Sequence, residues 1–347
     1  MADWTKLVKI PMGERTVPAF LHGVITPMFT PCDENNKLDE AAIRAYTDYL
    51  IDMGSITTLF PRCGLGKMFD FQYDDIKMIT DIIIDQAGDR IAVMPGTSGE
   101  YHRAPSAKPD AAAYIRESIE LSQYAQKKGA TACVLTAPEA LVLADGVSAE
   151  DTIVDYFKTV CAEVDLPVII YRFPGLDMTY EITPNILSRL LEIPNIAGMK
   201  YSTDHIATIL RLTMRIPEDH HFGFISGDEI AYYQVIAMGG TGVIGQGCNT
   251  NPEVLRAVYD RIVEGDFLGA WKAQEDGLRC IEANTAPQQI TGPGYRADVP
   301  VAGLMYAARK GVNVKAFTLE AMDPIPEEHI DHLEKELDAI RKPYLKG

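Results

Sequence analysis

Leu166-Pro167-Val168-Ile169-Ile170-Tyr171 and Asn195-Ile196-Ala197-Gly198-Met199-Lys200 are short apolar runs, each ending in a residue with a reactive head. Twenty-nine positions separate Tyr171 from Lys200, the length of one strand-helix-strand unit. A lysine pointing inward at the mouth of an apolar strand bundle loses solvation, which lowers its pKa and frees amine to attack a carbonyl. The plainer reading of the same lysine is a snorkelling side chain at a strand end. A tyrosine at the equivalent end of the preceding run favours the chemical reading.

Outward from these two runs the pattern repeats. Apolar runs occur at residues 23–29, 56–60, 91–94, 132–136, 168–171, 196–200, 223–225 and 242–244, with seven helical stretches between them. Asp39-Glu40-Ala41-Ala42-Ile43 and Thr183-Pro184 carry ordinary helix-start signals. Eight such units predict a (β/α)8 TIM barrel over residues 23–265, after an N-terminal extension of residues 1–22. Residues 266–347 read as a C-terminal helical appendage interrupted by a loop at Thr291-Gly292-Pro293-Gly294-Tyr295. In such a barrel the strand C-termini share one mouth. It would gather Tyr171, Lys200, Thr136, Ser226-Gly227-Asp228-Glu229 and the loop Arg62-Cys63-Gly64-Leu65-Gly66-Lys67.

Composition narrows the partners. The chain has 347 residues, 47% of them hydrophobic, and a net charge of −17, which disfavours nucleic acid and anionic membranes. No apolar stretch approaches the roughly 18 residues of a membrane span. The start Met1-Ala2-Asp3-Trp4 has no basic-then-apolar leader pattern, so a cytoplasmic protein is expected. Six scattered cysteines offer no metal-ligand spacing, so reduced thiols and no metal are expected. The expected partners are small molecules and further copies of the chain. Gly64-Leu65-Gly66-Lys67 is not a phosphate loop, because Pro61 and Met68 stand where glycine and Ser or Thr are required.

Five segments in order carry a resemblance: Gly23-Val24-Ile25-Thr26-Pro27 with Thr30-Pro31, Tyr171-Arg172-Phe173-Pro174-Gly175, Gly198-Met199-Lys200-Tyr201-Ser202, Ser226-Gly227-Asp228-Glu229 and Gly239-Gly240-Thr241-Gly242-Val243-Ile244. Over about residues 23–266 the chain resembles the dihydrodipicolinate synthase and N-acetylneuraminate lyase family of class I, pyruvate-handling aldolases. The resemblance implies that Lys200 condenses with a 2-oxo acid and that the Tyr171 hydroxyl shuttles protons. It also implies a pocket walled by the amides of Gly64, Leu65 and Gly66 and by the Ile244 carbonyl, with no cofactor. Relatives are commonly tetramers built as paired dimers, so a homo-oligomer, tetramer or dimer, is expected.

The departures bear on substrate. Cys63-Gly64-Leu65-Gly66-Lys67 replaces the family's Gly-Thr-Thr-Gly-Glu, removing two hydroxyls. Lys67 is then a compensating cation or a solvated loop lysine. Thr136-Ala137-Pro138-Glu139-Ala140 lacks the second relay tyrosine of the synthases, and Leu176 replaces their arginine. Arg172 or Arg103 could supply that charge or lie on the surface. Glu139 stands where the tyrosine is expected and is a candidate acid or base. Residues 96–103 form either a specificity loop or a capped turn. These readings point to cleavage, condensation or dehydration of a 2-oxo acid, sugar-acid-derived substrates included. The alternatives are dihydrodipicolinate (4-hydroxy-tetrahydrodipicolinate) synthesis and a non-catalytic oxo-acid-binding barrel.

Overall fold

Proline sets several of the strand limits. The runs expected at residues 23–29, 56–60 and 91–94 form shorter strands, the last two stopping just before or within two residues of Pro61 and Pro95, which have no N–H for a ladder. The computed structural model describes residues 6–103, 108–290 and 298–345. An N-terminal hairpin of β1 (Leu7–Lys9) and β2 (Thr16–Pro18) comes first. Then eight strands alternate with eight helices: β3 (Gly23–Pro27), α1 (Glu40–Asp52), β4 (Thr58–Phe60), α2 (Tyr73–Ala87), β5 (Ala92–Val93), α3 (Ala111–Lys128), β6 (Cys133–Thr136), α4 (Ala149–Cys161), β7 (Val168–Arg172), α5 (Pro184–Leu190), β8 (Ile196–Tyr201), α6 (Ile206–Thr213), β9 (Gly223–Ser226), α7 (Tyr232–Ala237), β10 (Gly242–Val243) and α8 (Pro252–Val263). The helix signals act as read: Asp39 caps α1 through the Ala42 N–H, and Thr183 caps α5 ahead of Pro184.

All neighbouring barrel strands are parallel, in the order β5-β4-β3-β10-β9-β8-β7-β6. A parallel bridge between Gly96 and Val134, with Val134 N–H donating to the Pro95 carbonyl at 2.9 Å, joins the two ends. The fold is thus the expected (β/α)8 barrel, followed by a C-terminal helical appendage of α9 (Phe267–Ile290), α10 (Val299–Arg309) and α11 (Glu327–Arg341). The loop expected at 291–295 lies outside the described residues. Among the described residues no helix is long and apolar enough to cross a membrane.

The lead-in before Gly23 is more than a polar extension. It plugs the barrel floor. Leu21 is fully buried, and a Cβ on Gly198 or Gly223 would stand 3.1 or 3.0 Å from its side chain. Those two strand glycines therefore make room for Leu21. Buried Arg15 fixes the plug by donating to the carbonyls of Phe222 and Gly239, both at 2.7 Å.

Candidate active site

Parallel register brings the two decisive residues together. Tyr171 pairs with Lys200 across β7 and β8, and Thr136 pairs with Tyr171 across β6 and β7, so three adjacent strand ends present their side chains side by side. The Lys200 ammonium donates to the Tyr171 hydroxyl at 3.3 Å and lies 4.3 Å from the centre of that ring. Phe60 closes the other side, its ring centroid 6.0 Å from Nζ and 5.7 Å from that of Tyr171. Lys200 is only 5% exposed. Burial lowers its pKa from 10.5 to about 8, so a large share of the amine is neutral and nucleophilic in mildly alkaline solution. Burial also pushes the Tyr171 phenol up, holding it as a proton donor until a nearby cation forms.

The loop after β4 supplies the facing wall. A Cβ on Gly64 would lie 2.9 Å from the Tyr171 hydroxyl, so a side chain the size of threonine does not fit there with Tyr171 in this position. That close approach accounts for the first lost hydroxyl. The Gly66 N–H is committed to the Cys63 carbonyl at 3.1 Å, while the Leu65 N–H faces the Cys63 sulfur and the Gly64 N–H faces the Tyr171 hydroxyl. Ile244 is fully buried, with its N–H held by the Ser226 carbonyl.

A match to the dihydrodipicolinate synthetase family spans residues 20–340. The chain belongs to this family. It is an enzyme of the class I aldolase type, as family members are. The 4-hydroxy-tetrahydrodipicolinate synthase of Nitrosospira multiformis is 29% identical over 273 residues, covering 77% of this chain and 83% of that protein. The structure of YagE, a prophage protein of the dihydrodipicolinic acid synthase family from E. coli K12 in complex with pyruvate, is 25% identical. Its TM-score is 0.75, and the likeness covers 92% of this chain and 98% of YagE. A sialic acid aldolase from Ruminococcus gnavus has a TM-score of 0.77 at 16% identity, over 94% of this chain and 98% of that one, a likeness of fold.

Within this family frame, the departing residues take roles the sequence left open. Lys67 is neither a site cation nor solvated: it pairs with Asp298 and, at 3.0 Å, with Glu320, tying the loop after β4 to the C-terminal region. Arg172 grips Glu181 through Nε and Nη2 and donates to the Ser202 carbonyl at 2.8 Å, so its charge is spent beside the barrel wall. Arg103 and Glu139 meet each other, Nε to Oε1 at 2.7 Å, while Glu139 also accepts the Asp177 N–H at 2.9 Å. Together they latch the segments after β5, β6 and β7 across the barrel mouth. The guanidinium of Arg103 rests 5.7 and 5.4 Å from the Phe69 and Phe173 rings.

One buried acid had no role in the sequence reading. Glu229 accepts the Gly247 N–H at 2.7 Å, and a Cβ on Gly245 would sit 2.3 Å from its Cγ. Burial raises its pKa to about 8, with the Lys200 charge pulling the other way, so near neutral pH it is largely protonated. The sequence signal was the Gly-Gln-Gly around it in space, which only the fold brings into contact. Among the described residues no group of three or more His, Cys, Asp or Glu is arranged to hold a metal ion.

Proposed function

We propose that the chain forms a Schiff base through Lys200 with pyruvate or a related 2-oxo acid. It would cleave, condense or dehydrate a substrate built on that unit, sugar-acid-derived substrates included. The observation that carries this reading is a buried lysine with a lowered pKa, 3.3 Å from a buried phenol. The neutral amine adds to the ketone carbon. The resulting carbinolamine loses water, with Tyr171 giving the proton that departs with the oxygen. The protonated imine then draws electrons from the neighbouring carbon, so a C–H or C–C bond there breaks into an enamine rather than a free carbanion. Beside the iminium charge Tyr171 gives and takes protons near neutral pH. Lys200 is itself the electron sink, so the reading needs no metal or organic cofactor.

In this reading the amides of Gly64 and Leu65, with Gly66 closing the turn, and the Ile244 carbonyl wall the pyruvate unit. Arg103 and Glu139 form the substrate-facing rim. The pyruvate complex of the similar YagE supports the donor. The names of the curated relatives favour a second reading, 4-hydroxy-tetrahydrodipicolinate synthesis. Leu176, where the family resemblance implies arginine in a synthase, speaks against it, and turnover of the aspartate-derived aldehyde would separate the two. A homo-oligomer is part of the proposal, supported by the exposed ridge Ile206, Leu210 and Met214 on and after α6. So are a cytoplasmic setting, supported by six buried free cysteines, and a division into residues 1–22, 23–265 and 266–347.

Exchange of the pyruvate methyl protons in D2O tests the reading. The wild type should catalyse exchange, Lys200→Ala should not, and Tyr171→Phe should slow it by about a hundredfold. Exchange that survives Lys200→Ala would remove the Schiff base from the account.

A further inference from the structure

Just beyond β4, Arg62 adopts a left-handed φ of 51°, a conformation that residues other than glycine rarely take and that persists only where the surroundings hold it. Here the residue's own side chain holds it. The guanidinium, on a residue 5% exposed, donates through Nη1 to the Ser98 carbonyl and, at 3.4 Å, to that of Gly96. Nη2 donates to the Gly99 carbonyl at 3.1 Å. Burial lowers its pKa only to about 10, so at neutral pH it is a cation and these bonds are charge-assisted. The backbones approach as closely. The Gly96 N–H donates to the Pro61 carbonyl at 3.0 Å, and a Cβ on Gly96 would stand 2.5 Å from the Arg62 carbonyl oxygen. Arg62 thus locks the end of β4 against the loop after β5.

Both sides of this lock lead to Tyr171. The turn that starts at Arg62 carries Gly64, whose N–H faces the Tyr171 hydroxyl, with a Gly64 Cβ position 2.9 Å from that oxygen. Thr30 secures the far side of the turn, its hydroxyl donating to the Gly66 carbonyl at 2.8 Å. On the other side, Ser98 Oγ accepts the Thr136 N–H at 2.9 Å and lies 3.0 Å from Thr136 Oγ1. Thr136 is the register partner of Tyr171, and the Ala137 N–H donates to the Tyr171 carbonyl at 2.9 Å. The bracing matters here because β5 is two residues long and its ladder to β6 is reduced to the isolated bridge between Gly96 and Val134. When Tyr171 gives its proton to the carbinolamine oxygen, which leaves as water, the phenolate keeps the Gly64 N–H as a donor. The same oxygen then takes a proton from the methyl carbon of the iminium, giving the enamine.

We propose that Arg62 is a positioning residue for Tyr171: it sets the Gly64 N–H against the phenol oxygen and braces the strand ends beside it, so that one hydroxyl serves first as donor and then as base. The inference rests on the Schiff-base reading above and adds to it a residue that acts through Tyr171. A double-variant cycle on the exchange of pyruvate methyl protons in D2O tests it. Arg62→Met should slow exchange by about tenfold or more when Tyr171 is present. It should slow exchange by less than about twofold when Tyr171 is already Phe, because the group it positions is gone. Arg62→Lys, whose ammonium cannot reach three carbonyls as the planar fork does, should fall between the wild type and Arg62→Met, with the same dependence on Tyr171. If Arg62→Met does not fold, Arg62→Lys carries the cycle. General damage to the barrel would instead slow exchange by the same factor in both backgrounds. That result, or unchanged exchange in the Arg62 variants that fold, would overturn the inference. Borohydride reduction of the wild type with pyruvate tells the two failures apart. An adduct on Lys200 alongside either result overturns the role of Arg62 alone, whereas no adduct overturns the Schiff-base reading with it.

Discussion

Lys200 and Glu229 are buried ionisable side chains whose pKa values burial moves in opposite directions, both to about 8. For Glu229 the consequence for stability has a definite sign. The folded protein holds the proton up to about pH 8, whereas an ordinary glutamate lets go near 4.5, so folding takes up a proton between these values. Stability from this group is complete below pH 4.5 and is lost as pH rises through 8. Glu229→Gln keeps an acceptor for the Gly247 N–H and cannot ionise. Its thermal midpoint should therefore fall less than that of the wild type between pH 5 and about 8, and parallel slopes in the two proteins would show that Glu229 does not titrate in this window. Lys200 and Tyr171 were legible in the sequence because each ends an apolar run, where strand period and barrel geometry fix the direction of the side chain. The pairing of Arg103 with Glu139 and that of Arg62 with the Ser98 and Gly99 carbonyls were not legible. They depend on loops from different strands meeting over the barrel mouth, and local sequence carries no signal for that.

The strands and their order were readable because parallel barrel strands are buried on both faces and stand out as apolar runs between helix signals. Their ends were less so. Proline limits and the short β5, Ala92–Val93, reflect ladder bonding that hydrophobicity alone does not report. The floor hairpin was missed because β1 and β2 are only three residues each and the burial pattern of β1 is mostly exposed. The lead-in stabilises the barrel chiefly through the turn between β2 and β3, above all through Leu21 packed over Gly198 and Gly223. Leu21→Ala should cost about 3 kcal/mol, because strand backbones held by ladder bonds cannot close the space left behind. Denaturant unfolding checks this, and a loss below about 1 kcal/mol would mean that the floor repacks freely. The mouth lies at the opposite ends of the strands, so the same variant should still form a pyruvate adduct on Lys200.

Across the whole molecule, the C-terminal helices are fastened to the barrel by a buried ion pair between Arg341 of α11 and Glu253 of α8, extended through the Tyr306 hydroxyl to Asp338. Removing one partner strands the other charge, so Arg341→Met should destabilise by about 3–5 kcal/mol, and Arg341→Met with Glu253→Leu should recover most of that loss. Equal losses in the single and double variants would mean that packing, not charge, holds the appendage. The sequence indicated helices here, but their docking depends on charge partners that are 88 positions apart, Glu253 and Arg341, and so outside any local pattern. The same region reaches the catalytic end through Lys67, Asp298 and Glu320, which links the appendage to the loop facing Tyr171. The proposed chemistry depends above all on the amine at the centre of the barrel. Borohydride reduction of the protein with pyruvate, and then peptide mass analysis, tests it most directly. The prediction is a single reduced pyruvate adduct on Lys200, forming faster as pH rises through about 8 and absent in Lys200→Ala. An adduct on another lysine, or none in folded protein, would contradict it.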